Sequence, residues 1–134
     1  MIEGKSFDDV MKRFREIQFH ETFDMIIAIA NGGIIPAAIL NQRLNIDIQL
    51  LKINLRDQNQ KPKYDNPKLL SPIDFDFKDK SILLVEDRIK TGATVKFAVE
   101  LLKPDAKLVK TFAVNGNADY SLYNESCFRF PWNL

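Results

Sequence analysis

The sequence has little of the chemistry that builds disulfide frameworks or zinc sites. It contains one cysteine, Cys127, and one histidine, His20, among 134 residues. A single cysteine cannot close an internal disulfide, and this pair cannot supply the four ligands of a structural zinc site. These shortages exclude a disulfide-rich secreted domain and a zinc domain, and they favour the reducing cytoplasm.

The chain also lacks an excess of charge of one sign. Its 19 Lys and Arg residues nearly balance its 18 Asp and Glu residues, which leaves a formal net charge of +1. Proteins that bind nucleic acid usually carry a marked positive charge that attracts the phosphate backbone. We therefore expect no nucleic acid among the partners of this protein.

No apolar run in the sequence is long enough for a membrane span. The interval between Asp24 and Arg43 has no charge, but polar residues, glycines and Pro36 interrupt it. Its apolar runs fall far below the ~20 residues that cross a bilayer. Acidic residues stand early in the chain, and no apolar segment resembles a signal peptide. We expect the protein to associate with no membrane.

The patterns that are present alternate between helix and strand, which is typical of an α/β fold. The length suits one domain, which we expect to comprise residues 1–134. Hydrophobic spacing predicts three helices and four strands. The helices are predicted after Ser6, through 36–44 and over 95–102; the strands are predicted over 25–30, over 46–53 near a sheet edge, over 82–85 and over 108–114.

Residues 54–71 show neither helical nor strand periodicity. The segment carries Arg56, Lys61, Lys63 and Lys68. A loop of this length is uncommon in a small domain, and such loops are often lids over a site. Four cations on it would suit an anionic ligand. The alternative is a solvated surface insertion, in which lysine and arginine are simply common residues.

The most informative segment is ILLVEDRIKTGAT, residues 82–94. An apolar strand leads into Glu86 and Asp87, and a turn with Gly92 precedes an amphipathic helix. Ligands of open parallel sheets bind beyond the carboxyl ends of the strands, so the two acids should reach the rim of a site. Backbone N–H groups at the start of the helix favour a phosphate. The acids suit sugar hydroxyls or a divalent cation.

Other interpretations of this segment are less specific. A threonine before a helix is a common cap, and paired acids are often a solvated surface. A response-regulator receiver can contain a similar Leu-Val-Glu-Asp string, but near its first strand. The P-loop and Rossmann glycine patterns are absent. The order of buried strand, acids, turn and helix favours a ligand site.

Residues 82–94 resemble the phosphoribosyl pyrophosphate (PRPP) motif of the type I phosphoribosyltransferases. Residues 26–37, IIAIANGGIIPA, resemble the pyrophosphate loop and the helix after it in that family. Phe130-Pro131-Trp132 and Asp119-Tyr120 resemble features of the small bacterial and archaeal 6-oxopurine (xanthine, guanine and hypoxanthine) enzymes. The resemblance implies a central, mainly parallel sheet flanked by helices, a catalytic loop over 54–71 and a reduced hood from the chain ends.

The resemblance also implies roles for individual residues. Glu86 and Asp87 would be catalytic, binding the ribose hydroxyls and Mg²⁺. The 5′-phosphate would lie against Lys90, Thr91, Gly92, Ala93 and Thr94. Pyrophosphate would contact Asn31, Gly32 and Gly33, often through a cis peptide in this family, and the loop cations Arg56, Lys61 and Lys63 would stabilise it as it leaves. The nucleobase would contact Asn115, Phe128 and Trp132.

The sequence departs from the 6-oxopurine pattern at three places. Lys90 replaces an Asp that handles a purine proton, Asn115 is the nearest polar residue where a lysine reads the 6-oxo group, and Asn133 replaces an acid. Two hypotheses follow. The first is an enzyme that joins PRPP to a nucleobase and that is compatible with a homodimer. The second is a catalytically weak protein of the same fold that binds PRPP or a nucleotide and regulates a partner.

Overall fold

A computed structural model describes residues 3–54 and 66–134. Three helices and six strands are present in these two ranges. The helices are α1 (Phe7–Glu16), α2 (Ile34–Leu44) and α3 (Ala93–Leu102); the strands are β1 (Met25–Ala30), β2 (Asp47–Asn54), β3 (Lys68–Leu69), β4 (Ser81–Arg88), β5 (Leu108–Asn115) and β6 (Tyr120–Tyr123).

The strands form one sheet in the order β3-β2-β1-β4-β5-β6. All neighbours are parallel except β2 and β3. The order reverses between β1 and β4, which lie side by side at the centre although they are distant in the chain. The crevice at such a reversal is where open α/β sheets bind ligands. The predicted α/β class with a mainly parallel sheet is confirmed.

Side chains of the central strands alternate between two hydrophobic cores. Ile26 and Ala28 of β1 belong to a core that includes residues of α1 and α2, whereas Ile27 and Ile29 belong to a core that includes residues of α3. A strand between two helical layers needs apolar residues on both faces, which explains the continuous apolar runs in β1 and β4. The helices therefore flank the sheet on both sides.

Most predicted elements are present with small shifts of their ends. The side chain of Ser6 accepts a hydrogen bond from the Asp9 N–H at 3.1 Å, so Ser6 caps α1 as expected. The predicted strand over 25–30 matches β1. The helix predicted around Pro36 begins two residues earlier, at Ile34. None of the helices in the described ranges is long and apolar enough to cross a membrane.

Three features differ from the expectation. Strand β4 continues to Arg88, so Glu86 and Asp87 belong to the end of the strand and do not follow it. The periodicity missed β6, and it missed β3, which pairs with the end of β2 within the segment predicted to be a loop. β3 spans 2 residues, too few for a hydrophobic period to be visible.

The two ends of the described chain meet beside the sheet. Gly4 forms a bridge with Arg129. The Lys5 ammonium forms an ion pair with Glu125 at 2.7 Å and lies 4.9 Å from the centre of the Phe128 ring. Glu125 raises the pKa of Lys5, chiefly through this hydrogen-bonded contact. The small hood that the resemblance implies corresponds to this pairing of chain ends.

Candidate functional site

A cleft of about 700 Å³ opens at the carboxyl ends of the central strands. It lies where the strand order reverses, because both β1 and β4 end at it. The loop after each of these strands supplies part of its wall. The lining consists of residues 29–32, 52–54 and 86–95 together with Leu70 and Asn133.

The loop after β1 packs tightly on the end of β4. The peptide bond between Ala30 and Asn31 is cis, as the resemblance implies for a pyrophosphate loop. A Cβ atom on Gly33 would lie 2.3 Å from the Val85 carbonyl oxygen, and one on Gly32 would lie 2.6 Å from Asp87 Oδ1. At Gly33 only glycine allows the approach, because the atoms met are backbone, whereas at Gly32 a side chain would push the Asp87 carboxylate away. The paired glycines therefore bring this loop into contact with the two acids.

The carboxylates of Glu86 and Asp87 are each oriented by a hydrogen bond from the backbone N–H of the next residue. Glu86 Oε1 accepts a hydrogen bond from the Asp87 N–H at 2.9 Å, and Asp87 Oδ1 accepts one from the Arg88 N–H at 2.6 Å. Burial and then the adjacent charge of Asp87 hold the pKa of Glu86 well above its ordinary value. Two carboxylates in one half-buried site repel each other, so the pair favours a cation or hydroxyl donors.

The turn after β4 leads into the amino terminus of α3. Gly92 has a φ of 84°, in the left-handed region that glycine adopts readily. The Thr91 hydroxyl accepts a hydrogen bond from the Ala93 N–H at 3.3 Å. Further N–H groups of the first helical turn have no carbonyl partner within the helix and carry the positive end of its dipole. Lys90 and Thr91 are exposed at the cleft. This geometry suits a phosphate group.

The two carboxylates could hold Mg²⁺ only with help from a ligand. The described residues contain no group of three or more His, Cys, Asp or Glu side chains that could hold a metal ion. Mg²⁺ commonly binds one or two carboxylates and completes its shell with water and substrate phosphates. The donor set of Glu86 and Asp87 fits that mode of binding, and an independent protein cage for the ion is not needed.

The residues predicted to contact the nucleobase lie outside the lining of the cleft. The Asn115 amide donates to the Glu125 carbonyl at 3.2 Å and accepts from the Glu125 N–H at 3.0 Å. Phe128 is buried and packs edge-on against Phe130 at a centroid distance of 5.4 Å. Trp132 stacks on Phe130 at 5.1 Å. In this structure these residues support the wall beside the cleft.

The cleft also contains residues that the sequence analysis assigned to no role. Lys52 lies near the end of β2, Arg88 at the end of β4, and Leu70 directly after β3. The strand-end rule that selected Glu86 applies equally to β2 and could have found Lys52. Arg56, Lys61 and Lys63, the predicted cations of the catalytic loop, lie outside the described residues.

The fold and the cleft define an α/β protein with a mainly parallel sheet and an open cleft at the carboxyl ends of its two central strands. The chain belongs to the phosphoribosyltransferase family, because the model of the phosphoribosyl transferase domain matches residues 2–126. The predicted activity, transfer of a phosphoribosyl group from PRPP to a nucleobase, is confirmed at the level of this family.

Curated relatives support the same family. A xanthine-guanine phosphoribosyltransferase of Idiomarina loihiensis is 28% identical over 121 residues, which cover 85% of this chain and 73% of the relative. A xanthine-guanine phosphoribosyltransferase of Chromohalobacter salexigens is 31% identical over 121 residues, which cover 84% and 70%. The resemblance to the 6-oxopurine enzymes is thereby confirmed.

Solved structures agree with the fold. A purine phosphoribosyltransferase of Pyrococcus horikoshii Ot3 superposes with a TM-score of 0.80 at 26% identity, covering 97% of this chain and 93% of that one. A hypothetical protein of Neisseria gonorrhoeae, solved with bound ppGpp, superposes with a TM-score of 0.76 at 22% identity, covering 100% and 91%. At this identity the second likeness shows the fold alone.

Proposed function

We propose that the protein transfers the phosphoribosyl group of PRPP to a purine base and releases pyrophosphate in the cleft between β1 and β4. One observation carries the proposal: the pyrophosphate-type loop and the PRPP-type motif meet there, with Gly32 against both acids. Asn31, Gly32 and Gly33 would position pyrophosphate. Glu86 and Asp87 would bind the ribose hydroxyls, and Lys90 to Thr94 the 5′-phosphate.

Mg²⁺ is the cofactor that this arrangement supports. Glu86 and Asp87 would hold it together with oxygens of PRPP, since both carboxylates border the cleft. When bound, Mg²⁺ would neutralise part of the charge on pyrophosphate. The protein itself contributes the orientation of the two carboxylates, which the backbone N–H groups of Asp87 and Arg88 hold in place.

The reaction requires the cleft to hold the two substrates in line. A nitrogen of the base attacks C1 of the ribose while the bond from C1 to the pyrophosphate oxygen breaks, and the bonding electrons leave with pyrophosphate. Positive charge develops on the sugar ring, beside the two carboxylates. The base loses a proton in this step. The ammonium of Lys90 cannot accept it, so we assign the proton to an oxygen of the departing pyrophosphate.

A purine is supported by the names of the relatives and not by a base-reading side chain in the cleft. Asn115 and Phe128 are buried, and their contacts are with the protein itself. Asn133 does line the cleft, beside the residues that follow β4. We therefore place the base between the end of β4 and the segment around Asn133, with Phe128 and Trp132 supporting that wall.

The direct test is pyrophosphate release from PRPP and Mg²⁺ in the presence of hypoxanthine, guanine, xanthine or adenine. We expect release with at least one 6-oxopurine and formation of the matching nucleoside 5′-monophosphate. Release without a base would mean hydrolysis. Tight PRPP binding without transfer to any base would favour the regulatory protein, for which Lys90 and Asn115 are the supporting residues.

We also propose that the protein is cytoplasmic and forms a homodimer. The location is supported by the single cysteine and by the family to which the chain belongs. Cell fractionation tests it directly. Sedimentation of the purified protein tests the homodimer, and a monomer that turns over substrate at the same specific activity would remove the dimer from the proposal.

A further inference from the structure

Arg88 connects the central strand to the chain's carboxyl-terminal region. It follows Glu86 and Asp87 directly and is the last residue of β4. Its Nη2 donates a hydrogen bond to the Phe128 carbonyl at 2.5 Å, and its guanidinium lies 4.4 Å from the centre of the Phe130 ring. One side chain at the mouth of the cleft thus holds both the backbone and a ring of the region that follows β6.

Asn115 makes a second connection from the neighbouring strand. Arg88 and Asn115 are partners in the register of β4 and β5. The Asn115 amide binds the backbone N–H and carbonyl of Glu125. The adjacent ends of β4 and β5 therefore bind the segment 125–130 at two points, the Phe128 carbonyl and the backbone of Glu125.

The held segment leads into the wall of the cleft. Trp132 stacks on Phe130, the ring that Arg88 faces, with ring planes 18° apart. The Asn133 N–H donates to the Phe130 carbonyl at 3.1 Å, and Asn133 lines the cleft. Phe130 therefore contacts both Trp132 and Asn133 directly.

The contacts of Arg88 are poorly suited to stabilising the fold as such. Within the described ranges its guanidinium forms no ion pair, and its Nε is the only buried side-chain nitrogen or oxygen without a hydrogen-bond partner. The side chain is only partly buried, and the unbonded buried Nε offsets part of what its one hydrogen bond contributes to stability. The planar guanidinium instead orients two groups, the Phe128 carbonyl and the Phe130 ring.

We propose that Arg88 is a positioning residue for the nucleobase, with Asn115 as the second anchor of the same segment. This inference rests on the proposed function, because it assumes that the base lies between the end of β4 and Asn133. Arg88 would act through residues 128–133. It would leave PRPP binding unchanged, because the proposed function assigns PRPP to the loop after β1, the two acids and residues 90–94.

The test uses Arg88→Met and a matched control, Arg13→Met. Arg13 makes the same pair of contacts elsewhere: its Nη1 donates to the Leu122 carbonyl at 2.8 Å, and its guanidinium lies 4.3 Å from the centre of the Tyr123 ring. It joins α1 to β6 and does not line the cleft. The two variants therefore remove the same chemistry at the cleft and away from it.

Three measurements are made on each full-length variant. The first is the emission spectrum of Trp132, the single tryptophan of the chain. The second is calorimetric binding of GMP and of Mg·PRPP. The third is the KM for each substrate with whichever 6-oxopurine supports transfer. Urea unfolding of both variants provides the comparison of stability.

We expect Arg88→Met to shift the Trp132 emission to longer wavelength and to weaken GMP binding by about fivefold, the order expected for one lost hydrogen bond. The KM for the base should rise in proportion, while PRPP binding and the KM for PRPP stay within about twofold. Arg13→Met should leave all of these values as in the wild type.

Other outcomes separate the two proposals. Wild-type emission together with unchanged GMP binding in Arg88→Met, or equal losses for GMP and PRPP, would overturn the role of Arg88. If the wild type transfers to no base, the proposed function fails, and the emission and GMP arms still decide the positioning role. If GMP does not bind the wild type either, the positioning role is overturned together with the base site that it serves. Should Arg88→Met not fold, Arg88→Lys, which keeps the charge and loses the planar group, takes its place with the same expectations.

Discussion

At the scale of single residues, Glu86 and Asp87 are neighbours in the chain with different surroundings. Each carboxylate accepts a backbone hydrogen bond from the next residue, and burial first and the charge of Asp87 second raise the pKa of Glu86. Glu86 resists ionisation next to the Asp87 carboxyl, so a cation that binds to the pair can cause Glu86 to lose its proton. Two substitutions separate these contributions.

Asp87→Asn keeps the shape of the side chain and removes its charge. We expect the affinity for Mg·PRPP to fall by roughly tenfold or more, as for the loss of a hydrogen bond to a charged group, with turnover falling in parallel. Calorimetry measures the affinity. Asp105→Asn, at an exposed position outside the cleft, is the control. Unchanged affinity and turnover in Asp87→Asn would remove this residue from the site.

Glu86→Gln should make the free protein more stable at neutral and mildly alkaline pH. Because the folded-state pKa of Glu86 is raised, the unfolded chain loses this proton first as the pH rises above the ordinary value of 4.5. The wild type therefore loses stability as the pH rises from 4.5 to the folded-state pKa. Below pH 4.5 the penalty is absent, because Glu86 is protonated in both states. Glutamine can still accept the Asp87 N–H.

Melting temperatures without Mg²⁺ or PRPP, taken from pH 4 upward, test this prediction. The two proteins should melt together at the acid end and separate as the pH rises, with the variant higher. A variant that melts below the wild type at pH 8 would mean that the ionised Glu86 is stabilised in the fold, contrary to the direction of its pKa shift.

At the scale of elements, the start of α3 combines a glycine in the left-handed region with a threonine, Thr91, whose hydroxyl accepts a hydrogen bond from the Ala93 N–H. A Cβ on Gly92 would meet nothing within 4 Å, so the glycine is needed for its φ of 84° and not for space. Gly33 is the opposite case, because a Cβ there would collide with the backbone of Val85. The two loops of the site thus depend on glycine for different physical reasons.

Replacing Thr91 by Val and Gly92 by Ala together should weaken the binding of a nucleoside 5′-monophosphate. The hydroxyl that binds the Ala93 N–H is lost, and an alanine at this φ strains the turn that aims the backbone donors. We expect a loss of roughly tenfold for GMP. Guanosine, which has no phosphate, serves as the control ligand and should bind as before. Equal losses for both ligands would count against a phosphate at this turn.

At the scale of the whole molecule, the sequence was enough to predict four of the six strands and, through the family resemblance, the two loops that meet in the cleft. β1 and β4 are apolar on both faces, so their burial between two layers was visible from the sequence, as were the glycines after β1 and the acids of β4. The short strands β3 and β6 were not, because their pairing depends on partners far along the chain.

The roles of Asn115 and Arg88 show what the sequence could not supply. Asn115 was predicted to contact the base from its place near the end of a strand, yet its amide binds the backbone of Glu125. Arg88 gave no signal at all, since its partner is a carbonyl 40 residues later in the chain. Contacts between a side chain and distant backbone have no sequence period and follow only from the tertiary structure.

The last prediction concerns the choice between an enzyme and a regulatory protein. In an enzyme, Lys61→Gln with Lys63→Gln should lower kcat more than it lowers affinity for Mg·PRPP, because charge on the departing pyrophosphate is greatest in the transition state. The control pair is Lys103→Gln with Lys107→Gln, two exposed lysines outside the lining of the cleft. Steady-state kinetics and calorimetry on the same samples give both quantities. Equal losses in rate and affinity would mean that Lys61 and Lys63 only attract PRPP, and a protein that simply senses PRPP would need nothing more from them.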